Sequence, residues 1–212
     1  MFTFLLIWFL SCNTSTDKSC MPVNYGINEE KVLTYKIDEN DTILERTTEL
    51  FFNKFGLVDS VITNSNIVPD TVITIFSYDK SKVLWMKEYQ YGNTDTIIHV
   101  ATEWDKENRG IKFVPINDAT SPIIYKNKNC RGVNKKVYLE NSLVYSIDYE
   151  WNENLVTRTI NQFYGDLQKS IGKSSDTTTF DYISLDKKAN WMKRIMNINE
   201  MSYLEIRSLK YY

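Results

Sequence analysis

Residues 31–52 read KVLTYKID-ENDT-ILERTTELFF: two runs in which apolar and polar residues alternate, joined by a short polar cluster. Alternation places successive side chains on opposite faces of an extended chain, so each run predicts a β-strand that buries one face. A connection this short suits antiparallel neighbours, because parallel strands need a crossover of about a dozen residues or more. The stretch therefore predicts a β-hairpin.

The same rhythm continues through residues 57–116 and 135–165. The chain has 14 Tyr, 10 Phe and 5 Trp, which favour pleated surfaces, and only 7 Gly and 4 Pro for turns. Junctions rich in Asn and Asp then indicate turns, because these residues tolerate positive φ. We expect an all-β fold, an antiparallel meander of about ten to twelve hairpin-connected strands that forms an open curved sheet or a partial barrel.

Two segments interrupt the rhythm of the sequence. Residues 115–132, PINDATSPIIYKNKNCRG, contain two prolines and little alternation, and they predict a long loop or a break within a single domain of residues 31–212. Residues 164–175, YGDLQKSIGKSS, form a second polar connector, in which a short helix at 166–171 is an alternative.

Charge and size limit the classes of function. The 212 residues fit one domain, and the net charge of −2 provides no basic field for a phosphate backbone. Nucleic acid is therefore not an expected partner.

The first ten residues are apolar except for Thr3. This run is too short to span a bilayer but has the length of the apolar region of a signal peptide. It ends in Leu10-Ser11-Cys12, which resembles the lipobox of bacterial lipoproteins, although no Lys or Arg precedes the run. A buried N-terminal strand is the alternative interpretation.

The lipobox resemblance implies a lipid-anchored envelope protein. Residues 1–11 would be a signal peptide, Cys12 would carry lipid such as palmitate, and residues 12–30 would be a flexible tether. Only one acid, Asp17, follows Cys12 in the first stretch of the tether, so we expect the periplasmic side of the outer membrane rather than the cell surface.

The other two cysteines, Cys20 and Cys130, could pair as a disulfide in an oxidising periplasm. Two unrelated thiols are the alternative, because their spacing in sequence gives no information about their distance in space.

Three segments share a pattern of aromatic residues before a turn and a Lys or Arg after it. They are FSYDKSKVLWMKEYQY from Phe76, IDYEWNENLVTRTI from Ile147 and FDYISLDKKANWMKRI from Phe180. We expect each to form a hairpin in which aromatic–aliphatic and aromatic–cation pairs stabilise neighbouring strands.

These segments resemble the degenerate YD-type, or RHS-like, β-hairpin repeats of small Bacteroidetes-type lipoproteins. Tyr78-Asp79 matches the Tyr-Asp pair, and residues 190–194 match the NWxKR end, with Ala189 where the family places Gly. The resemblance implies a structural or binding β-sheet protein and carries over no catalytic residue.

The candidate residues for catalysis or metal binding are few. The single histidine, His99, is predicted to be half-buried on a strand, on the face of Ile97 and Ala101. The acidic run DENDT at residues 38–42 lacks the glycine and the later glutamate of a calcium loop, so we expect a solvated turn. No cofactor and no metal are expected.

The sequence therefore favours a membrane-tethered, non-enzymatic lipoprotein that binds an envelope protein or glycan. Candidate binding aromatics are Trp104, Trp151 and Trp191. Two alternatives remain. One is a glycan-active hydrolase that uses paired carboxylates, for which Glu103 beside Trp104 and Glu150 beside Trp151 are the first acids to consider. The other is a periplasmic lipid-carrying half-barrel, which requires a continuous concave apolar face.

Overall fold

The computed structural model describes residues 26–38, 41–67, 70–80, 82–90, 96–105, 109–128, 131–153 and 155–212. These residues form fourteen β-strands and one helix. The strands are β1 (Ile27–Asp38), β2 (Asp41–Phe52), β3 (Val58–Ser65), β4 (Asp70–Asp79), β5 (Lys82–Gln90), β6 (Thr96–Trp104), β7 (Gly110–Pro115), β8 (Ile123–Lys128), β9 (Arg131–Leu139), β10 (Ser142–Asn152), β11 (Leu155–Phe163), β12 (Ser175–Leu185), β13 (Trp191–Ile198) and β14 (Met201–Tyr211). The helix, α1 (Gly165–Ile171), lies between β11 and β12.

Consecutive strands pair antiparallel, which confirms the all-β antiparallel meander. The first and last strands of the described residues, β1 and β14, also pair, from Ile27 opposite Tyr211 to Ile37 opposite Ser202, so the sheet closes into a barrel. The structure has more strands than the ten to twelve expected, and its sheet is closed rather than open or partial. Closure was missed because alternation within a strand does not indicate a partner that is distant in sequence.

Both segments that interrupt the rhythm contain regular structure. The first contains β8, which pairs with β7 only through Lys112 opposite Ile124 and Phe113 opposite Ile123, the shortest ladder among the described strands. The second contains α1, which ends at Gly172 in the left-handed conformation, with its backbone N–H donating to the Gln168 carbonyl. Residues 27–30, the last four of the predicted tether, belong to β1.

Buried side chains fill the inside of the barrel. The largest apolar cluster consists of Ile27, Leu50, Phe52, Val61, Phe76, Val83, Met86, Ala101, Phe113 and Tyr125. Smaller clusters are Tyr145, Ile147 and Phe163, and Val156, Phe180 and Met196. Gly110 is required at its position because a Cβ there would clash with the Phe113 ring and lie 2.8 Å from Val83 Cγ1.

The alternating strand directions give the barrel two ends. We name the end where β1 begins the entry end; it carries the β2–β3, β4–β5, β6–β7, β8–β9, β10–β11 and β12–β13 connections. The far end carries the other connections, including α1. The three segments with the repeated pattern form the β4–β5, β10–β11 and β12–β13 hairpins, as expected, and all three turn at the entry end.

Several turns contain non-glycine residues with positive φ. Asn141 and Asn199 take φ of 63° and 53°, consistent with the expectation that Asn forms turns in this glycine-poor chain. Ala189, in the β12–β13 turn, takes φ of 60°, a conformation that favours glycine.

Candidate functional site

The three candidate tryptophans lie at the same end of the barrel. Trp104 ends β6, Trp151 is the penultimate residue of β10, and Trp191 begins β13, so all three belong to the entry end. Each ring is only partly exposed. The structure thus places the predicted aromatics at one end, and their contacts determine which of them a ligand can reach.

Trp104 and Trp151 make the same set of contacts in two different hairpins. The indole N–H of Trp104 donates to the Val83 carbonyl at 2.7 Å, and Lys82 Nζ lies 3.8 Å from the ring centroid. The indole N–H of Trp151 donates to the Gly132 carbonyl at 2.9 Å, with the Arg131 guanidinium 5.6 Å from the ring. Both indole donors are therefore engaged within the protein.

Two tyrosines repeat this arrangement on other strands. Tyr78, near the end of β4, donates its hydroxyl to the Val58 carbonyl at 2.7 Å, and Tyr182, on β12, donates to the Val156 carbonyl at 2.8 Å. In each of the four cases the aromatic residue bonds to the beginning of the preceding strand. These aromatics hold the entry ends of hairpins together. The sequence pattern did not indicate this role, because it relates each aromatic residue to the strand after the turn and not to the strand before it.

Trp191 belongs to a group of buried charges. The guanidinium groups of Arg194 and Arg207 lie 4.0 and 5.1 Å from its ring. Arg194 Nε donates to Glu205 Oε2 at 2.6 Å, and Arg207 Nη2 donates to Glu30 Oε2 at 2.7 Å. We call these two arginines and two glutamates the interior charge cluster. Each is at most 4% exposed.

Aromatic rings surround Arg194 in the interior charge cluster. Its guanidinium lies 4.4 Å from the Phe180 ring and 5.8 Å from the Tyr182 ring, and Nη1 donates to the Tyr182 hydroxyl at 3.3 Å. In the third repeated segment, the expected aromatic–cation pairs therefore form across β12 and β13. The attraction between a cation and the face of a desolvated aromatic ring contributes about 2 kcal/mol or more of favourable free energy.

A second group of titratable side chains comes from β5, β6 and β9. Lys135 is 7% exposed. Its Nζ lies 5.7 Å from the centroid of the Tyr125 ring. Burial lowers the pKa of Lys135 to about 8, against an opposing attraction from Glu88.

The other two members of this group are perturbed by the same environment. Burial raises the pKa of Glu88, which Lys135 partly counteracts. Burial and the Lys135 charge lower the pKa of His99 to about 4, so the imidazole is neutral near pH 7. Its Nδ1 is buried and has no hydrogen-bond partner.

His99 and the carboxylates of Glu103 and Glu150 differ in their burial. His99 is half-buried on β6 and shares the inward face with Ala101, as expected, whereas Ile97 is exposed. Glu103 and Glu150 are exposed and pair with Lys112 at 3.2 Å and with Arg158 at 3.6 Å. These acids therefore lie on the outer wall, away from the buried parts of the neighbouring tryptophans.

Neither a metal centre nor a membrane helix occurs in the described part of the chain. It contains no group of three or more His, Cys, Asp and Glu side chains that could hold a metal ion. None of its helices has the length and apolarity that crossing a membrane requires. Cys12, Cys20 and Cys130 lie outside the described residues.

The two ends of the barrel differ in charge. At the entry end, the described strand ends and connections carry the basic residues Lys54, Lys80, Lys82, Arg109, Lys128, Arg131, Lys187 and Lys188, and the acidic residues Asp59, Asp79, Glu103, Asp105, Glu153 and Asp186. At the far end, the described positions carry the acidic residues Asp38, Asp41, Asp118, Glu140, Asp166 and Glu200, and the basic residues Lys169 and Lys173. The barrel is therefore electrostatically polar along its axis.

The far end also exposes aliphatic side chains. The exposed residues at this end are Ile37, Ile43, Ile67, Ile116, Leu139, Ile171 and Met201, with Ile97 at the start of β6. Ile67 is the most exposed of them, at 66%, followed by Ile116 at 60%. We call these eight side chains the aliphatic rim. Sequence analysis missed it, because single apolar residues next to turns look like the ends of ordinary strands.

No protein-family model matches the chain, and no curated protein does. Its function is therefore inferred from the chemistry of the two ends of the barrel and of its interior.

Proposed function

We propose that this chain is a non-enzymatic binding protein of the bacterial envelope, tethered to the outer membrane on its periplasmic side by lipid on Cys12. Its far end would bind another envelope protein through the aliphatic rim. The observation that carries the proposal is the polarity of the barrel: the chain enters at the basic end, and the acidic, aliphatic end points away from the point of entry.

The tether has a physical basis in the length of chain before β1. Cys12 and Ile27 are separated by residues 13–26, and a fully extended chain of this length reaches about 50 Å at ~3.5 Å per residue. Each buried methylene of an acyl chain contributes about 0.8 kcal/mol, so two or more chains anchor a protein stably. The entry end would therefore stay close to the bilayer, with the far end directed into the periplasm.

The aliphatic rim indicates the chemistry of the partner. Ile116 and Leu139 lie in neighbouring turns, because the Asn141 backbone N–H donates to the Thr120 carbonyl at 2.6 Å. Exposed Glu140 lies in the same turn as Leu139. A protein surface with an apolar patch and flanking Lys or Arg residues complements this combination, since contiguous apolar surface marks interaction sites and opposite charges favour encounter.

Two further observations support a binding role over the alternatives. Glu103 and Glu150 are each paired with a base on the outer wall, which does not suit a pair of acids acting across a glycan. The interior charge cluster interrupts the inner face, which does not suit the continuous apolar surface of a lipid carrier.

The YD-type resemblance is part of the same proposal. The expected hairpins form at the three repeated segments, and the backbone at Ala189 adopts the conformation that suits the glycine of the repeat. Both observations support a non-catalytic β-hairpin protein.

The tether is tested by metabolic labelling with radioactive palmitate in a suitable bacterium. We expect the full chain and its Cys20→Ala variant to be labelled and to sediment with membranes, whereas Cys12→Ala is unlabelled. Cys20→Ala is the matched control, because it removes a nearby thiol from the same segment. Equal labelling of Cys12→Ala and the unmodified chain would refute the anchor.

The binding end is tested in cells with a photo-crosslinking amino acid at Ile116, compared with the same residue at Ile183, which is exposed on β12 near the entry end. We expect discrete adducts from position 116 and none from position 183. Glu140→Lys should reduce the adducts from position 116 by reversing a charge next to the partner, whereas Asp181→Lys on the outer wall should not. Equal adducts from both positions would contradict this role of the far end.

A further inference from the structure

We infer that the entry end is a docking surface for an anionic phospholipid membrane, with its lysines against the headgroups and its exposed aromatic rings at the interface. This inference rests on the proposed tether for its biological setting. Its physical basis is independent of the lipid anchor, because it depends only on the residues at this end of the barrel.

The topology brings together basic residues that are far apart in sequence. Five exposed lysines, each contributed by the end of a strand or by a connection at the entry end, are Lys54, Lys80, Lys128, Lys187 and Lys188. A lysine close to an anionic lipid surface contributes about 1 kcal/mol to the free energy of membrane binding, so a few lysines together give measurable binding. The lysines come from four different connections and thus surround the end of the barrel instead of forming one line.

The acidic residues at the entry end make local contacts, and Asp105 is neutralised by a base while Asp186 stays ionised. Asp105 pairs with Arg109 at 2.7 Å. Asp186 accepts hydrogen bonds from the Tyr211 hydroxyl at 2.7 Å and from the Asn190 amide, which hold its pKa below the usual value despite partial burial. Among the described strand ends and connections here, the exposed acids are Asp59, Asp79, Glu103 and Glu153, which are fewer than the five exposed lysines, and Glu103 pairs with Lys112.

Amphipathic rings lie beside the lysines at this end. Phe55, in the β2–β3 connection, is 50% exposed, and Lys54 Nζ lies 5.2 Å from its ring centroid. Tyr212 is 68% exposed, and its hydroxyl donates to the Phe52 carbonyl at 2.7 Å, which places it next to the same connection. Aromatic residues beside Lys and Arg are typical of protein segments at the membrane–water interface.

The far end does not offer this chemistry. Its described charges are mainly acidic, and its two lysines in the α1 region are paired, Lys169 with Asp166 at 2.7 Å and Lys173 with Asp176 at 2.8 Å. An anionic surface would repel the far end and attract the entry end. The charge distribution thus orients the barrel in the same sense as the tether, which leaves the aliphatic rim free for a protein partner.

The test uses the purified full chain carrying Cys12→Ala, mixed with sedimenting vesicles of phosphatidylcholine alone or with a quarter phosphatidylglycerol. The N-terminal apolar run is present in every sample, so its contribution is common to all. We expect at least tenfold tighter binding to the anionic vesicles, and loss of that preference in 0.5 M salt, about where the screening length falls below 5 Å.

Two matched double variants distinguish the ends of the barrel. Lys80→Glu with Lys187→Glu reverses two exposed charges at the entry end and is expected to abolish the anionic preference. Lys169→Glu with Lys173→Glu reverses two charges at the far end and should leave it within twofold. Equal binding to both vesicle types, or an equal loss in both variants, would overturn the proposal, while the palmitate result would be unaffected.

Discussion

Replacing Glu205 by alanine is expected to lower the free energy of unfolding by about 3–5 kcal/mol. Glu205 accepts a hydrogen bond from Arg194 Nε at 2.6 Å, and it also interacts with Thr34 Oγ1 at 3.4 Å and with Arg46 Nη2 at 3.7 Å. The alanine would leave the Arg194 guanidinium buried without its carboxylate. A buried charge that loses its partner retains the cost of desolvation, which explains the size of the effect.

Urea unfolding, followed by tryptophan fluorescence, measures this change. The control is Glu103→Ala, which removes an exposed carboxylate from Lys112 on the outer wall and should lower the free energy of unfolding by less than about 1 kcal/mol. The double replacement Arg194→Met with Glu205→Met should recover most of the loss, because it removes both charges and retains apolar volume. A loss below about 1 kcal/mol in Glu205→Ala would show that the pair is solvated.

Local pattern predicts the strands of this barrel well but not their closure. Alternation in residues 31–52 predicted the β1–β2 hairpin, and residues 70–79 likewise form β4. The pairing of β1 with β14 joins two strands that are far apart in sequence, and neither strand differs in pattern from one at an open edge. A strand-by-strand interpretation therefore gives an open meander.

Two prolines near the middle of the chain lie next to the connection between β7 and β8. Pro115 is the last residue of β7, and Pro122 directly precedes β8, so both lie at positions where a proline does not interrupt a ladder. The segment between them forms a compact turn around Asp118. Hydrogen bonds from Ser121 and from the Thr120 hydroxyl and backbone N–H hold the pKa of Asp118 below its usual value. The two prolines therefore mark the ends of strands that flank this connection.

The interior charges could not be found from sequence. In β13, Arg194 and Met196 point inward while Lys193 and Ile195 alternate with them, so each face of the strand contains one cation among apolar residues. Period-two reasoning cannot choose between such faces. What distinguishes Arg194 from Lys193 is the carboxylate of Glu205 on the adjacent strand, a tertiary contact.

Lys135→Met is expected to have the opposite effect to Glu205→Ala and to raise the free energy of unfolding at pH 7 by about 1–3 kcal/mol. Lys135 is buried, and desolvation is the largest cause of its lowered pKa, so its charge carries a cost that the attraction of Glu88 only partly offsets. Methionine has a similar length and no charge. The gain in the free energy of unfolding is smaller than the full cost of desolvating Lys135, because the variant also removes the favourable interaction between Lys135 and Glu88.

The pH dependence identifies the cause of that gain. The pKa of Lys135 falls from 10.5 to about 8 on folding, so between these values the unfolded chain binds a proton that the folded chain has released. Stability therefore rises with pH across this window, and the advantage of Lys135→Met should shrink from pH 8 to pH 10.5. Urea unfolding at pH 7, 8, 9 and 10 measures it, with Lys136→Met, the half-exposed neighbour on the opposite face of β9, as the control. A constant advantage across this range would assign the gain to packing instead of charge.

The variants Glu205→Ala and Lys135→Met together separate two kinds of buried charge in this barrel. A buried cation that is bonded to a carboxylate destabilises the fold when that carboxylate is removed. A buried cation whose main effect is its desolvation cost stabilises the fold when the cation itself is removed.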